Sequence, residues 1–464
     1  MKRLLIISPH FPPTDAPDMH RVRMNAAHYA AHGWAPTVLS VTPETADRAM
    51  EPRLAESACE GLDLRRVAAP TGGLAKRLGL RAIGLRAWGA LARGGDRAIA
   101  AAEAEGRPFD LAFFSTTASP VMALGPRWLK RFGLPFVLDY QDPWSARTAA
   151  TRALRRRGLK HRAMRALHWT LERRTAPKAA GLIAVSPAYL ETLTAAYPSL
   201  AARPKAAIPF GWSRADRALA RARGAPWPAL RDQAADGAPT LLCAGRLGAP
   251  FEDSLDALFR LMRQAPEASP LGRLCAAFLG TGYQRRGNMA TATPLAAASG
   301  LSDRVVEAPD RLPLLDALAT LEAADALLVL GSNDPTYQPS RLHQALSFDK
   351  PVFIVAPAAS RLGALGRELA ATSPGVVFAP TETGAADPTG INEALIRAFA
   401  LREADYAPRR AAQAAFEAEA LAARETALFE AALIAAPRGA AEAPAAEALE
   451  AEALETNLRS AGHG

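Results

Sequence analysis

Cysteine and long apolar runs are both scarce in this chain of 464 residues. Its three cysteines, Cys59, Cys243 and Cys275, lie far apart, without the spacing of a zinc site or a disulfide framework. The first apolar run, Leu4–Ile7, is too short for a signal peptide, and no later run is long enough to cross a bilayer. These absences predict a cytoplasmic protein without structural disulfides, a bound metal or a membrane-spanning helix.

Positive charge exceeds negative charge outside the carboxyl terminus. Residues 437–464 hold five Glu and two Arg, a local balance of −3, so the rest of the chain carries +12 against +9 for the whole. Arginine and lysine concentrate in residues 74–98 and 147–178, between apolar residues. Such stretches suit an anionic membrane surface, here the inner membrane face, and a solvated basic face is the alternative. No zinc spacing, recognition-helix pattern or aromatic-basic RNA signature accompanies the charge, which argues against nucleic acid as a partner.

Apolar runs alternate with helical patterns in two successive series. The first contains Leu111–Phe114 and Phe136–Asp139, and the second contains Thr240–Ala244 and Ala326–Leu330. Strands that alternate with helices imply parallel, doubly wound sheets. The sequence therefore predicts an α/β protein of two Rossmann-like domains.

The domain boundaries follow from the same alternation. We expect a first domain over residues 1–212 and a second over 213–403. A long helical pattern, 404–436, would return to the first domain. The Ala/Glu-rich residues 437–464 lack aromatics and are expected to form a disordered tail.

One segment combines a strand end with groups suited to a ligand. Asp334 to Val355 reads DPTYQPSRLHQALSFDKPVFIV, with a predicted helix over Ser340 to Ser347 after an apolar run. Open α/β sheets bind ligands at the carboxyl ends of their strands. Arg341 in the first helical turn adds positive charge to exposed N–H groups, a combination suited to a diphosphate, and Gln344 can bind hydroxyls. Ordinary helix capping is the alternative.

This segment resembles the donor-site motif of GT-B glycosyltransferases of the family 4 type. Further landmarks of that family follow in the expected order, namely ISPHFPPTDAPDMHRVR, FDLAFFSTTASP, PFVLDYQDPW and TLLCAGRLG. The resemblance implies the GT-B fold, in which two Rossmann-like domains face each other across a cleft and a carboxyl-terminal helix crosses back to the first domain. It also implies a retaining, metal-independent glycosyltransferase of surface polysaccharide assembly. Such an enzyme moves a sugar from a nucleotide diphosphate sugar, its only co-substrate, to a glycan or polyprenyl-lipid-linked acceptor.

The resemblance also assigns roles to individual residues. Asp142 is the predicted catalytic residue. The predicted donor-binding residues are Arg246, Gly282, Ser340, Arg341 and Gln344. The predicted acceptor-side residues are Phe11, Asp18, His20, Arg21, Ser115 and Thr116. Simple structural roles are the alternatives: Asp142 and Asp18 as caps, and Gly282 as part of a tight turn.

The chain departs from the family pattern at several positions. Thr336 and Gln344 stand where the family often has two Glu, and Phe251 and Glu252 occupy the neighbourhood of its Lys. Gln344 has no charge and cannot act as a base. Two other functions therefore remain as alternative hypotheses: a GT-B sugar-nucleotide epimerase, and a catalytically degenerate GT-B scaffold that binds a partner or a membrane.

Overall fold

The computed structural model describes residues 1–46, 48–56, 58, 61–71, 82–145, 159–223, 238–282, 286–335, 337, 339–382, 384 and 387–436. Parts of the predicted basic stretches, residues 74–81 and 147–158, lie outside the described residues. The predicted tail, 437–464, and Thr336 lie outside them as well.

The first sheet is wholly parallel. Its strands are β1 (Lys2–Ile7), β3 (Trp34–Val41), β5 (Asp63–Val67), β6 (Leu111–Ser115), β7 (Phe136–Tyr140), β8 (Gly181–Ala184) and β9 (Lys205–Ala207). They lie in the order β5-β3-β1-β6-β7-β8-β9. A separate antiparallel pair joins β2 (Thr14–Asp15) to β4 (Ala49–Met50). We call the seven-stranded parallel sheet and the helices around it the first domain.

Helices cover both faces of the first sheet. They are α1 (His20–Asn25), α2 (Pro43–Ala46), α3 (Ile83–Arg86), α4 (Trp88–Ala104), α5 (Leu124–Phe132), α6 (Leu159–Thr175) and α7 (Pro187–Ala196), with α8 (Arg214–Arg223) leading to the second domain. Short 3-10 turns span Pro17–Met19, Ala26–His32, Pro52–Ala55, Ser119–Ala123, Ala176–Lys178 and Pro198–Leu200. Because both faces are covered, every residue of β6, β7 and β8 is buried, which explains their continuous apolar sequences.

The second sheet repeats this architecture, and we call it and its helices the second domain. Its strands are β10 (Thr240–Ala244), β11 (Cys275–Leu279), β12 (Val305–Ala308), β13 (Ala326–Leu330), β14 (Val352–Ala356) and β15 (Val376–Pro380). They are parallel, in the order β12-β11-β10-β13-β14-β15. The helices are α9 (Glu252–Gln264), α10 (Pro270–Arg273), α11 (Ala292–Ala298), α12 (Leu314–Ala323), α13 (Leu342–Leu346), α14 (Arg361–Thr372), α15 (Pro388–Phe399) and α16 (Ala407–Ala414), with 3-10 turns at Ala249–Phe251 and Glu403–Tyr406.

The strand order reverses direction once in each sheet, between β1 and β6 and between β10 and β13. Consecutive connections leave the sheet on opposite sides at such a point, so a crevice opens beyond the carboxyl ends of the two strands. We call the loops after β1, β6 and β7 the first edge, and the loops after β10, β11, β12 and β13 the second edge.

A carboxyl-terminal helix, α17 (Ala418–Ala435), returns to the first domain. Phe429 packs edge-on against Tyr29 and Trp34, with ring centroids 5.7 and 5.5 Å apart, and is tilted against Phe113 at 5.0 Å. The predicted crossing of a terminal helix to the first domain is thus confirmed. The pattern over 404–436 does not form one helix, however, because the chain turns between α16 and α17.

That turn lies beside the point where the chain first leaves the first domain. The Trp212 amide donates to the Phe416 carbonyl at 3.1 Å, and the Ala418 amide donates to the Trp212 carbonyl at 2.9 Å. The Trp212 indole donates to the Gln413 carbonyl at 2.9 Å. A Cβ at Gly211 would overlap the Phe416 carbonyl, so only glycine allows this approach. The two passages between the domains are therefore hydrogen-bonded into one connection.

Candidate functional site

Charges on the second edge act on groups of the first edge. Desolvation raises the pKa of Asp142, and Arg246 of the second domain opposes this rise. Burial lowers the pKa of His20 to about 3, and Arg311 of the second domain adds to that effect. The two edges therefore face each other closely enough for their charges to interact.

A buried polar cluster occupies the first edge where β1 ends. His10 Nδ1 lies 2.8 Å from Asp18 Oδ1, and Thr116 donates to Asp18 Oδ2 at 2.7 Å. Burial alone would raise the pKa of Asp18, but the contacts with His10 and Thr116 outweigh burial and hold it below its usual range. Both oxygens of Asp18 are already engaged, and Asp18 and Thr116 are only 2% and 1% exposed. Their predicted contact with an acceptor does not fit this placement, because protein groups take their hydrogen-bonding capacity.

A second buried cluster surrounds Arg21. Its guanidinium donates to Asp139 at 2.8 Å, to Glu425 of α17 at 3.0 Å and to the Ile208 carbonyl at 2.7 Å. Ser115 also donates to Asp139, at 2.8 Å. Arg21 thus binds the terminal helix to the first sheet, and Ser115 is engaged within that sheet by Asp139, a correction to their predicted acceptor-side role.

Phe11 requires the same correction. Its side chain is 1% exposed and belongs to the apolar cluster under α17. A phenyl ring packed in the core cannot contact a substrate in the crevice. Of the predicted acceptor-side residues, only His20 keeps partial exposure, and it accepts a hydrogen bond from Arg23 Nε at 3.3 Å.

Asp142 lies on the first edge, two residues after β7, and its side chain is exposed. Nearby, burial raises the pKa of Tyr189 to about 12, with further contributions from Asp142 and from Asp334 and Tyr337 of the second domain. Asp142 thus lies on the first edge within electrostatic range of groups on the second edge. Its catalytic role stays a prediction.

The second edge places two predicted donor-binding arginines around one glycine turn. The Arg341 guanidinium lies against Gly245, where a Cβ would overlap it, and Gly245 has a φ of +141°. Arg246 follows directly and is exposed. Both guanidinium groups act on the hydroxyl of Tyr337, the pKa of which is raised chiefly by burial. The structure therefore places the Arg341 guanidinium against the turn that directly precedes Arg246, beyond the ends of the adjacent strands β10 and β13.

The remaining predicted donor-binding residues differ in their accessibility. Ser340 is exposed beside Arg341. Gln344 lies one turn into α13, and its Nε2 is buried without a hydrogen-bond partner. Gly282 fits the tight-turn alternative, because its amide donates to the Pro309 carbonyl at 2.9 Å and Asn288 fills the space beside it. Gly282 therefore shapes the loop and does not open toward the crevice.

Sequence reasoning did not identify Arg311, which follows β12 on the second edge and interacts electrostatically with Arg341 and His20. A recognisable signal exists in the sequence: Arg246, Arg311 and Arg341 each follow an apolar strand. Within the described ranges, no group of His, Cys, Asp or Glu side chains could hold a metal ion. No helix in the described part of the chain is long and apolar enough to cross a membrane.

Comparison with known proteins identifies the architecture. Residues 20–211 match the family model of the glycosyl transferase 4-like domain. The structure is similar to a UDP-forming α,α-trehalose-phosphate synthase from Burkholderia xenovorans, with a TM-score of 0.56, 12% identity and coverage of 95% of this chain and 100% of that one. The fold is GT-B. Two similar domains and the returning helix were predicted, and this fold class is confirmed.

Two further GT-B structures have similar scores. A glycosyltransferase from Rickettsia africae has a TM-score of 0.54 and 10% identity, covering 93% of this chain and 98% of that one. A trehalose-6-phosphate protein from E. coli bound with UDP-2-fluoro glucose has a TM-score of 0.54 and 11% identity, covering 93% and 99%. Curated protein sequences include no significant match. The family match is thus confined to the first domain, and the solved structures show the fold.

Proposed function

We propose that the protein transfers a sugar from a nucleotide diphosphate sugar to a glycan or lipid-linked acceptor in surface polysaccharide assembly. One observation carries the proposal: the Arg341 guanidinium lies against the Gly245 turn on the second edge, directly before the exposed Arg246. Guanidinium groups bind phosphate oxygens strongly, and the turn lies at the switch point where this fold binds ligands. A GT-B neighbour that is bound with UDP-2-fluoro glucose supports the ligand class.

The donor diphosphate would lie between the two guanidinium groups. The exposed Ser340 hydroxyl supplies a further hydrogen bond to a phosphate or sugar oxygen. When the bond from the anomeric carbon to the phosphate oxygen breaks, its electron pair stays on the diphosphate. Arg246 and Arg341 stabilise that charge, so the proposed reaction is metal-independent.

The acceptor would approach from the first edge. Its hydroxyl oxygen forms the new bond to the anomeric carbon, and the hydroxyl proton passes to Asp142 or to the departing phosphate oxygen. Asp142 suits the first route because it is exposed and its raised pKa makes it a better proton acceptor than an ordinary Asp. We propose a retaining outcome, as the family resemblance implies.

We also propose that the first domain attaches to the inner face of the cytoplasmic membrane. Helix α6 exposes basic side chains together with Leu167, which is 38% exposed. The exposed basic residues are Arg162, Arg165, Arg173 and Arg174. Sedimentation with phosphatidylglycerol vesicles should capture the protein at low salt, and recovery of all protein in the supernatant would contradict attachment.

Nucleotide affinity tests the proposed function. A thermal-shift screen of UDP, GDP, ADP and their sugars should identify a stabilising ligand, and calorimetry then measures its affinity. Arg246→Gln and Arg341→Gln should each weaken binding about tenfold or more, because each loses a charge-assisted contact. Arg263→Gln is the matched control, since Arg263 is exposed in the last turn of α9, away from the second edge. Unchanged affinity in both site variants would reject the proposal.

A further inference from the structure

Arg311 is an unusual arginine for this structure. It follows β12 by three residues and is half-buried, yet it makes no hydrogen bond or ion pair with any residue that the structure describes. Other enclosed arginines of the second domain are satisfied by backbone carbonyls. Arg304, for example, donates to Leu271 at 2.8 Å, and Arg409 donates to Lys350 at 2.7 Å. The guanidinium of Arg311 therefore has hydrogen-bonding capacity that the protein does not use.

Arg311 and Arg341 each lie against one of two adjacent glycine turns. The Arg311 Cα would lie 3.6 Å from a Cβ placed on Gly280, a residue with a φ of +62°. The Gly245 amide donates to the Leu279 carbonyl at 2.7 Å, which holds the two turns side by side. Because the Arg341 guanidinium lies against Gly245 and the Arg311 backbone lies against Gly280, the two arginines border a surface formed by two adjacent glycine turns. Such a surface lets a bulky anion approach closely.

The two arginines also act on each other. Desolvation lowers the pKa of Arg341, and the charge of Arg311 lowers it further. Arg341 makes no hydrogen bond or ion pair within the described part of the chain either. Two neighbouring guanidinium groups without a carboxylate repel each other, and an oxyanion between them would relieve that repulsion.

We propose that Arg311 and Arg341 form a phosphate-binding subsite above the Gly245 and Gly280 turns, with Arg311 as a further substrate-binding residue. The subsite rests on the proposed function, because it lies in the same crevice. The phosphate belongs either to the donor diphosphate or to a phosphate-bearing acceptor. Both sources are compatible with the position of Arg311, since it interacts with Arg341 on the second edge, where the donor would bind, and with His20 on the first edge, where the acceptor would approach.

Calorimetry with inorganic pyrophosphate tests the subsite without assuming a base or a sugar. Arg311→Gln should weaken pyrophosphate binding about tenfold, equivalent to about 1.4 kcal/mol, and Arg263→Gln should leave it unchanged within about twofold. The melting temperature of unliganded Arg311→Gln should equal that of the wild type, because Arg311 has no partner in the described structure to lose. Unchanged pyrophosphate affinity, or a lowered melting temperature that shows a structural role, would overturn the proposal.

Further measurements identify the source of the phosphate and separate the two proposals. If saturating UDP or GDP displaces pyrophosphate, the subsite binds the donor; retained pyrophosphate assigns it to a phosphate-bearing acceptor. If Arg246→Gln and Arg341→Gln weaken nucleotide binding while Arg311→Gln leaves pyrophosphate binding intact, the subsite fails and the proposed function survives. If Arg311→Gln and Arg341→Gln weaken pyrophosphate binding but no nucleotide binds, the proposed function fails and the subsite survives.

Discussion

The first and second edges occupy equivalent positions in two similar sheets but use their charged residues differently. On the first edge, Arg21 and Asp18 are buried and paired with protein groups. On the second edge, Arg311 and Arg341 keep their guanidinium groups without a hydrogen-bond partner among the described residues. The same place in the fold thus holds ion pairs in one domain and arginines without such partners among the described residues in the other. Proteins commonly sacrifice local stability in this way at binding sites.

Among variants of the two edges, removal of Arg21 should cause the largest loss of unfolding free energy. Arg21→Ala leaves Asp139 and Glu425 buried without their cation, which should cost about 3–5 kcal/mol of unfolding free energy. Urea unfolding measures this loss.

Arg341→Ala is the matched control for that experiment, because it removes an arginine from the equivalent edge without breaking an internal ion pair. Its unfolding free energy should stay within about 0.5 kcal/mol of the wild type. Equal losses in the two variants would mean that the two edges do not differ in the way described.

Asp142 tests whether the first edge also takes part in the reaction, because its carboxylate is exposed there while Asp18 and Arg21 are buried. Asp142→Asn should lower the transfer rate about 100-fold while leaving nucleotide affinity unchanged, since the carboxylate acts on the acceptor. Desolvation raises the pKa of Asp142, so wild-type activity should fall on acidification at a higher pH than an ordinary Asp would give. A full rate in the variant, measured by product formation from the identified donor, would remove Asp142 from the mechanism.

The smallest effect is expected at His343, in the interior behind the second edge. His343 stacks on Phe416 with ring centroids 3.6 Å apart, and its Nδ1 lies 3.0 Å from Gln413 Oε1. Burial lowers its pKa to about 4, well below that of an unfolded histidine. The neutral ring therefore contributes stability above the unfolded pKa of 6.5, and this stability is lost as the pH falls through the folded pKa.

His343→Phe removes the titrating group but keeps an aromatic ring against Phe416. The loss of unfolding free energy between neutral pH and about pH 4.5 should be smaller in this variant by about 2 kcal/mol. Urea unfolding at both pH values gives this difference. The variant lacks the Gln413 contact at both pH values, so the free energy of that contact cancels when the two values are subtracted. An equal acid loss in both proteins would show that His343 is not held neutral.

The sequence was sufficient for the architecture because the strands are buried on both faces. Thr240–Ala244 and Ala326–Leu330 were predicted with the bounds that the structure shows, since a fully buried strand reads as an uninterrupted apolar run. The break between α16 and α17 was missed. It depends on a tertiary contact, the pairing of Trp212 with Phe416, that no local pattern reports.

The candidate site was predictable only in part. Arg246 follows β10 and Arg341 lies in the loop after β13, so their placement at one edge follows from a parallel sheet. Arg21 was misassigned because its partner Glu425 lies 404 residues away, and a buried ion pair over that distance cannot be told from an exposed arginine in a sequence. Arg311 was missed although it follows a strand as the other two arginines do.

The most direct test is diffraction from crystals grown with the nucleoside diphosphate that the thermal-shift screen identifies. We predict density for the diphosphate at the Gly245 turn, within hydrogen-bonding distance of the guanidinium groups of Arg246 and Arg341. Density elsewhere on the protein, or a diphosphate that neither arginine contacts, would contradict the assignment of the second edge as the donor site.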